Sequence, residues 1–236
     1  MLRKLIRIAP LVLAAAMIPY KAAAEEPAAK QEEPPRFELH GNMGIHSGYY
    51  PSGFPLIDNP VIQGEMSLTR NYENGNCGLT LWGSYDTKAK TANEWDATAE
   101  CSWKPKCFAL NAGVAHYNFP HDPLDKLNIV FGKVELNVPS HPSLKYERFF
   151  NDGSGGITTF GIGHTFKKPL IEISASLIYN DGMLIDDSAF THAKTVVGFP
   201  YEKKNGVTVK PSVGFIKAFG HDDFEDRVFG GIEFSF

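Results

Sequence analysis

The sequence predicts an all-β protein, a closed antiparallel up-and-down transmembrane β-barrel of about twelve strands. Three observations predict it. Apolar side chains recur at every second position in segment after segment, and no segment carries a 3.6-residue apolar stripe. The connections alternate between short and longer ones. Charges sit on one face of nearly every segment, while the other face is rich in large apolar residues. A soluble barrel would hide that apolar face inside, so this pattern asks for lipid outside and water within.

The first segment, 37–50, puts Phe37, Leu39, Met43 and Ile45 on one face. In the second, 61–70, Ile62, Met66 and Leu68 oppose Gln63, Glu65, Ser67 and Thr69. The third, 77–86, sets Leu79, Leu81 and Tyr85 against Thr80 and Ser84. The fourth, 94–103, alternates most cleanly, with Trp95, Ala97, Ala99, Cys101 and Trp103 against Glu94, Asp96, Thr98, Glu100 and Ser102. The fifth, 107–119, opposes Phe108, Leu110, Ala112 and Val114 to Asn111 and Tyr117. The sixth, 126–137, has an ambiguous phase, the seventh, 143–150, is short, and the eighth is 157–166. In the ninth, 170–179, Ile171, Ile173, Ala175, Leu177 and Tyr179 oppose Glu172, Ser174 and Ser176. Pro200 interrupts the tenth, 193–201. The eleventh, 206–219, turns Val207, Val209, Val213 and Phe215 outward and Thr208, Lys210 and Ser212 inward. The twelfth, 229–236, places Ile232, Phe234 and Phe236 outward, with Val228 before them, and Glu233 and Ser235 inward.

Short connections follow the even segments: NYENGN, KPK, NVPSHP, KKP and EKKNG. Mostly longer ones follow the odd segments: PSGFPLIDNP, TKAKTAN, PHDPLDK, NDGSGG, NDGMLIDDSAFTH and GHDDFED. Short periplasmic turns and longer extracellular loops have this asymmetry. Tyr49, Tyr50, Tyr85, Trp95, Trp103, Phe150, Tyr179 and Tyr201 lie near segment ends, where interfacial aromatic girdles are expected.

Residues 1–24 read as a cleaved secretory signal peptide: Arg3, Lys4 and Arg7, then an apolar run, then a small-residue site ending at Ala24. Residues 25–35, charged and proline-containing, read as a flexible periplasmic tail, and 36–236 as the barrel. Cleavage would remove four basic residues and no acidic one, and so lower the net charge from −4 to −8. That excludes a nucleic-acid footprint.

Cys77, Cys101 and Cys107 all fall near the expected periplasmic ends. Alternation puts Cys77 and Cys101 on the outer face of neighbouring segments and Cys107 on the inner face, which favours the Cys77–Cys101 pair. The short turn between Cys101 and Cys107 keeps that pairing open, and one thiol is left over in either case.

The alternating Ile232, Phe234 and Phe236 resemble the C-terminal signal of bacterial outer-membrane proteins, which the barrel assembly machinery reads. The stretches DNPVIQGEMSLTR, GLTLWGSYD, EWDATAECSW and GVAHYNFP also resemble, in order, the first third of a family of porins labelled TorF. That resemblance implies porin-like transport.

No Gly-x-Ser-x-Gly elbow, His-Glu-x-x-His helix or phosphate-binding glycine loop occurs, so neither an enzyme nor a cofactor is expected. His121, His192 and His221 fall in expected outer loops beside Asp122, Asp125, Asp186, Asp187, Asp222 and Asp223, and His116 lies near the same rim. Their loose spacing makes no metal-ligand motif. The lumen is the better site. Its inward candidates are Glu65, Glu94, Asp96, Glu100, Glu172 and Glu233, with Lys145, Lys210 and Arg227 as bases. Acids outnumber bases there, which predicts a weak cation preference.

The expected function is passive diffusion of small hydrophilic solutes or ions through the outer membrane of a Gram-negative bacterium. The alternatives are a structural or interaction barrel with a plugged lumen and, further off, a barrel enzyme. The expected partners are outer-membrane lipid and lipopolysaccharide, the assembly machinery and small solutes, with the protein a monomer. Deleting Phe236, or adding a charged tail after it, is expected to impair outer-membrane assembly. Normal assembly of both variants at native expression, scored in membrane fractions, would overturn that reading of the terminus.

Overall fold

A computed structural model describes residues 37–51, 56–120, 126–151, 155–183, 187–203, 206–219 and 225–236. The expected signal peptide and tail lie outside the described residues, as do His121, Asp122, Asp125, Asp186, His221, Asp222 and Asp223. The strands are β1 (Phe37–His46), β2 (Val61–Tyr72), β3 (Gly75–Asp86), β4 (Thr91–Trp103), β5 (Phe108–Asn118), β6 (Lys126–Leu136), β7 (Ser143–Asn151), β8 (Gly156–Lys167), β9 (Leu170–Asp181), β10 (Ser188–Gly198), β11 (Tyr201–Glu202), β12 (Thr208–Ala218) and β13 (Arg227–Ser235).

Each strand pairs antiparallel with its neighbours in sequence, except that β10 and β11 do not pair with each other. Two further pairings close the ring: β1 with β13 and β10 with β12. The result is a closed twelve-strand barrel. The remaining segment, β11, lies on the same side of β12 as β10. Gly198 faces Ser212 and Tyr201 faces Val209, so the register runs unbroken from β10 across Pro200. Proline has no N–H to donate, which is why the ladder is interrupted there and resumes beyond.

The outer surface is apolar. Leu39, Leu81, Ile162 and Val228 are 56–73% exposed, and Tyr85, Trp95, Trp103, Phe150 and Tyr201 are exposed near strand ends. Such a surface fits hydrocarbon with aromatic borders. Cys77 and Cys101 are opposed on β3 and β4 with Cα atoms 4.0 Å apart, and their sulfurs form a disulfide. Cys107 is a free, exposed thiol before β5.

Four features differ from expectation. The β3–β4 connection is only Thr87–Lys90, because Asp86 builds a tight turn. Its Oδ1 accepts the N–H groups of Lys88 (2.7 Å) and Ala89 (2.9 Å). The register shift between Ser84 and Tyr85 makes room by leaving Asn93 as an extra residue on β4. A second bulge, between Phe190 and His192, lets β10 start earlier than expected. There Thr191 and His192 are both buried, so His192 belongs to a strand and not to an outer loop. Finally, Tyr49 and Tyr50 turn into the barrel and take no part in a girdle: Tyr49 stacks 5.4 Å from Trp82, and Tyr50 5.7 Å from Phe229.

The interior is divided. Ala115, Phe119, Leu127, Ile129, Phe131, Phe149, Ile157 and Ile178 form a buried apolar cluster, joined by Leu56, Tyr117 and Met183. β6 supplies three of them from its inner face while Val130 and Leu136 face out, which explains its ambiguous phase. Gly113 allows the close approach: a Cβ there would lie 2.5 Å from both the Ala99 carbonyl and the Phe131 ring. Leu81 sits midway along β3 on the outer face. Leu81→Arg is expected to lower barrel stability by roughly 2–4 kcal/mol, measured by denaturant titration in lipid vesicles.

Candidate functional site

Period-two alternation delivers one inward side chain at every second position of each strand. Toward the end with the short turns these inward residues are polar, and they surround a cavity of about 920 Å³. Glu65, Glu100 and Glu135 face it together with Lys133, Lys145 and Lys194. A second cavity of about 370 Å³ runs along the wall of β9, β10, β12, β13 and β1. It is lined by His46, Tyr50, Glu172, Lys210, Phe229 and Glu233. The two share Ser174, Lys194 and Val196. Lys194 therefore stands where they meet.

Most of the expected lumen residues are brought together here, though not on equal terms. Lys145 pairs with Glu147 at 2.7 Å and lies over the Phe131 ring. Glu100 faces the field of Lys145 and Lys133 across the cavity. Lys210 reaches two carboxylates at once, Glu172 at 3.7 Å and Glu233 at 3.9 Å, and ties β9, β12 and β13 around the lumen. Glu65 accepts a long 3.5 Å hydrogen bond from Asn42. Glu94 and Asp96 point inward but belong to neither cavity. Glu94 is buried, and it contacts both Asp96 and the Tyr49 hydroxyl. Burial, with Glu94 second, pushes the Tyr49 hydroxyl well above the ordinary phenol range, so it stays a donor. Arg227 is held at the rim. Its guanidinium binds Asp58 at 2.6 Å and Glu225 at 3.0 Å. Ile232, Phe234 and Phe236 face outward, and Phe236 exchanges backbone hydrogen bonds with Gly41.

Sequence reasoning missed Lys133, Glu135 and Lys194. Lys133 and Glu135 lie on the strand whose phase both faces obscured, and Lys194 lies on the proline-interrupted strand. Once they are included, the first cavity carries three carboxylates and three lysines, and the second two of each. Among the described residues no carboxylate forms an ion pair with Lys194. Its ammonium lies 5.0 Å from the Phe229 ring centroid. That ring in turn lies across Gly214, where a Cβ would collide with it.

No family model matches the chain, and no curated protein matches it. The TorF resemblance therefore rests on the quoted stretches alone. Among solved structures, the chain is similar to the KdgM porin in complex with disordered oligogalacturonate (TM-score 0.53, 13% identity) over 84% of this chain and 97% of that one. It is likewise similar to the NanC porin (TM-score 0.50, 7% identity) over 84% and 98%. What these likenesses share with this chain is the fold: a closed antiparallel β-barrel, here of twelve strands.

Replacing the bridging lysine, Lys210→Met, leaves Glu172 and Glu233 facing each other without their shared cation. It is expected to cost about 1 kcal/mol or less, since all three side chains are partly exposed. Denaturant midpoints of the two barrels in vesicles check this.

Proposed function

We propose that this protein is a porin-like outer-membrane channel for passive diffusion of small hydrophilic solutes. The observation that supports it most is the polar cavity of about 920 Å³ inside an apolar-clad barrel, with a second cavity continuing past Lys194. Such a lumen gives water and solutes a path while the exterior stays in lipid.

Counted once each, five carboxylates and four lysines line the two cavities, so the expected cation preference rests on a small excess of acid, and three of the lysines are ion-paired. Lys194 departs from that pairing. It is a cation at the junction, over the Phe229 ring and lining the same two cavities as Ser174, and it suits a solute that carries a carboxylate. The KdgM neighbour was observed with oligogalacturonate, whose sugar units carry carboxylates. We extend that class to this chain as small acidic sugars or similar carboxylates. A second reading, a barrel whose lumen is closed, draws support from the apolar cluster and the inward Tyr49.

Liposome swelling with neutral sugars, uronic acids and amino acids separates these readings. Faster swelling than empty liposomes is expected, with uronic acids favoured. Swelling equal to that of empty liposomes would leave the closed-lumen reading. Lys194→Gln is expected to shift the reversal potential in a salt gradient toward cation preference. The permeability ratio should change roughly two- to tenfold, ~0.4–1.4 kcal/mol.

A further inference from the structure

The inner wall of β2, β3 and β4 carries polar side chains to which the two cavities give no role. Register sets them in two adjoining rows. Gln63 of β2 faces Ser84 of β3, and Ser84 faces Glu94 of β4. One step along, Trp82 faces Asp96, and Asp96 faces Tyr117 of β5. Directly opposed residues have Cβ atoms about 4.5–5.5 Å apart, so one small ligand spans such a row. The bulge beside Ser84 adds Asn93 next to Glu94. The wall is dry: Glu94 is 2% exposed and Ser84 4%.

Two observations point to a bound ion. Two carboxyls meet here, for Glu94 contacts Asp96. Among the described residues, the charge that acts on Asp96 is that of Glu94, and no base forms an ion pair with Asp96. A buried carboxylate needs a counter-charge. Independently, Ser84 Oγ, Asp96 Oδ1, Gln63 Nε2 and both amide atoms of Asn93 are buried and have no hydrogen-bond partner among the described residues. Natural interiors leave few such atoms, yet these five stand on three neighbouring strands. The buried Ser84 hydroxyl lies opposite Glu94, and so is aimed into the same spot. Water would satisfy the hydroxyl and the amides but bring no charge to the carboxyls. A cation answers both demands.

We infer that this wall is a calcium site, in which Glu94 and Asp96 supply the charge and Ser84 Oγ and the Asn93 amide oxygen extend the oxygen set. Calcium accepts roughly six to eight oxygens in a flexible geometry, which suits ligands on separate strands, whereas magnesium demands a near-ideal octahedron. The Tyr49 hydroxyl hydrogen-bonds to Glu94 and positions that carboxylate. Gln63 and Tyr49 also line the second cavity, which gives the ion a way in. Two carboxylates are few for calcium, so the Kd is expected on the order of 10⁻⁴–10⁻³ M.

The test uses terbium, which takes the place of calcium and luminesces when a nearby tryptophan is excited. Trp82, opposite Asp96, is the antenna. The full chain is purified from membranes in detergent, stripped with a chelator and titrated with terbium, and calcium then displaces the terbium. Asp96→Asn is expected to weaken calcium roughly tenfold or more, and Ser84→Ala roughly three- to tenfold, since affinity follows the charge and number of ligands. Calcium is expected to raise the parent's denaturant midpoint above its value in chelator. Asp96→Asn, which relieves two like charges of each other, is expected to exceed the parent in chelator and to ignore calcium. Folding is confirmed by heat-dependent mobility on gels, and Ser84→Ala decides if Asp96→Asn does not fold. A parent midpoint equal in calcium and chelator, as ordered water or a shared proton alone would give, overturns the site. So do folded variants that bind calcium as the parent does. Equal competition by magnesium overturns the choice of calcium. None of these readouts measures transport, so the site stands or falls apart from the channel reading.

Discussion

Everything in this molecule depends on one constraint: inside hydrocarbon, no backbone N–H or C=O can be left without a partner. A sheet meets that demand only by having no edge. The pairing of β1 with β13 and of β10 with β12 removes both edges, and β11 resumes the ladder beyond Pro200, which cannot donate. Once closed, the sheet has a convex outside and a concave inside, and each strand divides its side chains between them. The apolar exterior and the polar lumen are consequences of closure.

What fills the inside is a separate matter. A barrel of this size is neither a packed core nor an open tube. One part of the interior is lined by a buried cluster of aliphatic and aromatic side chains, and another by charges and hydroxyls. The apolar part resembles the core of a soluble protein, and Leu56 packs against it. The polar half keeps its charges close to one another: Lys145 with Glu147, Lys133 with Glu135, Lys210 between Glu172 and Glu233. Paired charges keep the lumen wet without giving it a strong net field. Against that background one cation at the junction of two cavities matters more than a count of acids and bases.

Two bulges and one tight turn shift the details. Asn93 and Thr191 each add a residue to one strand, and so change which neighbours face inward beyond them. The Asp86 turn shortens a connection that composition alone makes look long. Tyr49 and Tyr50 have the residue type of a membrane girdle, yet they serve in the lumen, because the connection carrying them folds inward.

Alternation by itself determined the barrel class, the inward or outward sense of most strands, and the facing positions of Cys77 and Cys101. Period two is a property of each strand alone, and lipid on one side makes it visible in residue type. Tertiary structure alone decided which inward charges pair, that Glu94 and Asp96 lie beneath Tyr49, that Arg227 is spent on Asp58, and that Lys194 commands the junction. Those outcomes depend on the register between strands and on the path of a connection across the lumen. Neither leaves a periodic mark in the chain. The phase of β6 was hidden for a related reason: where both faces of a strand are buried in something apolar, alternation vanishes.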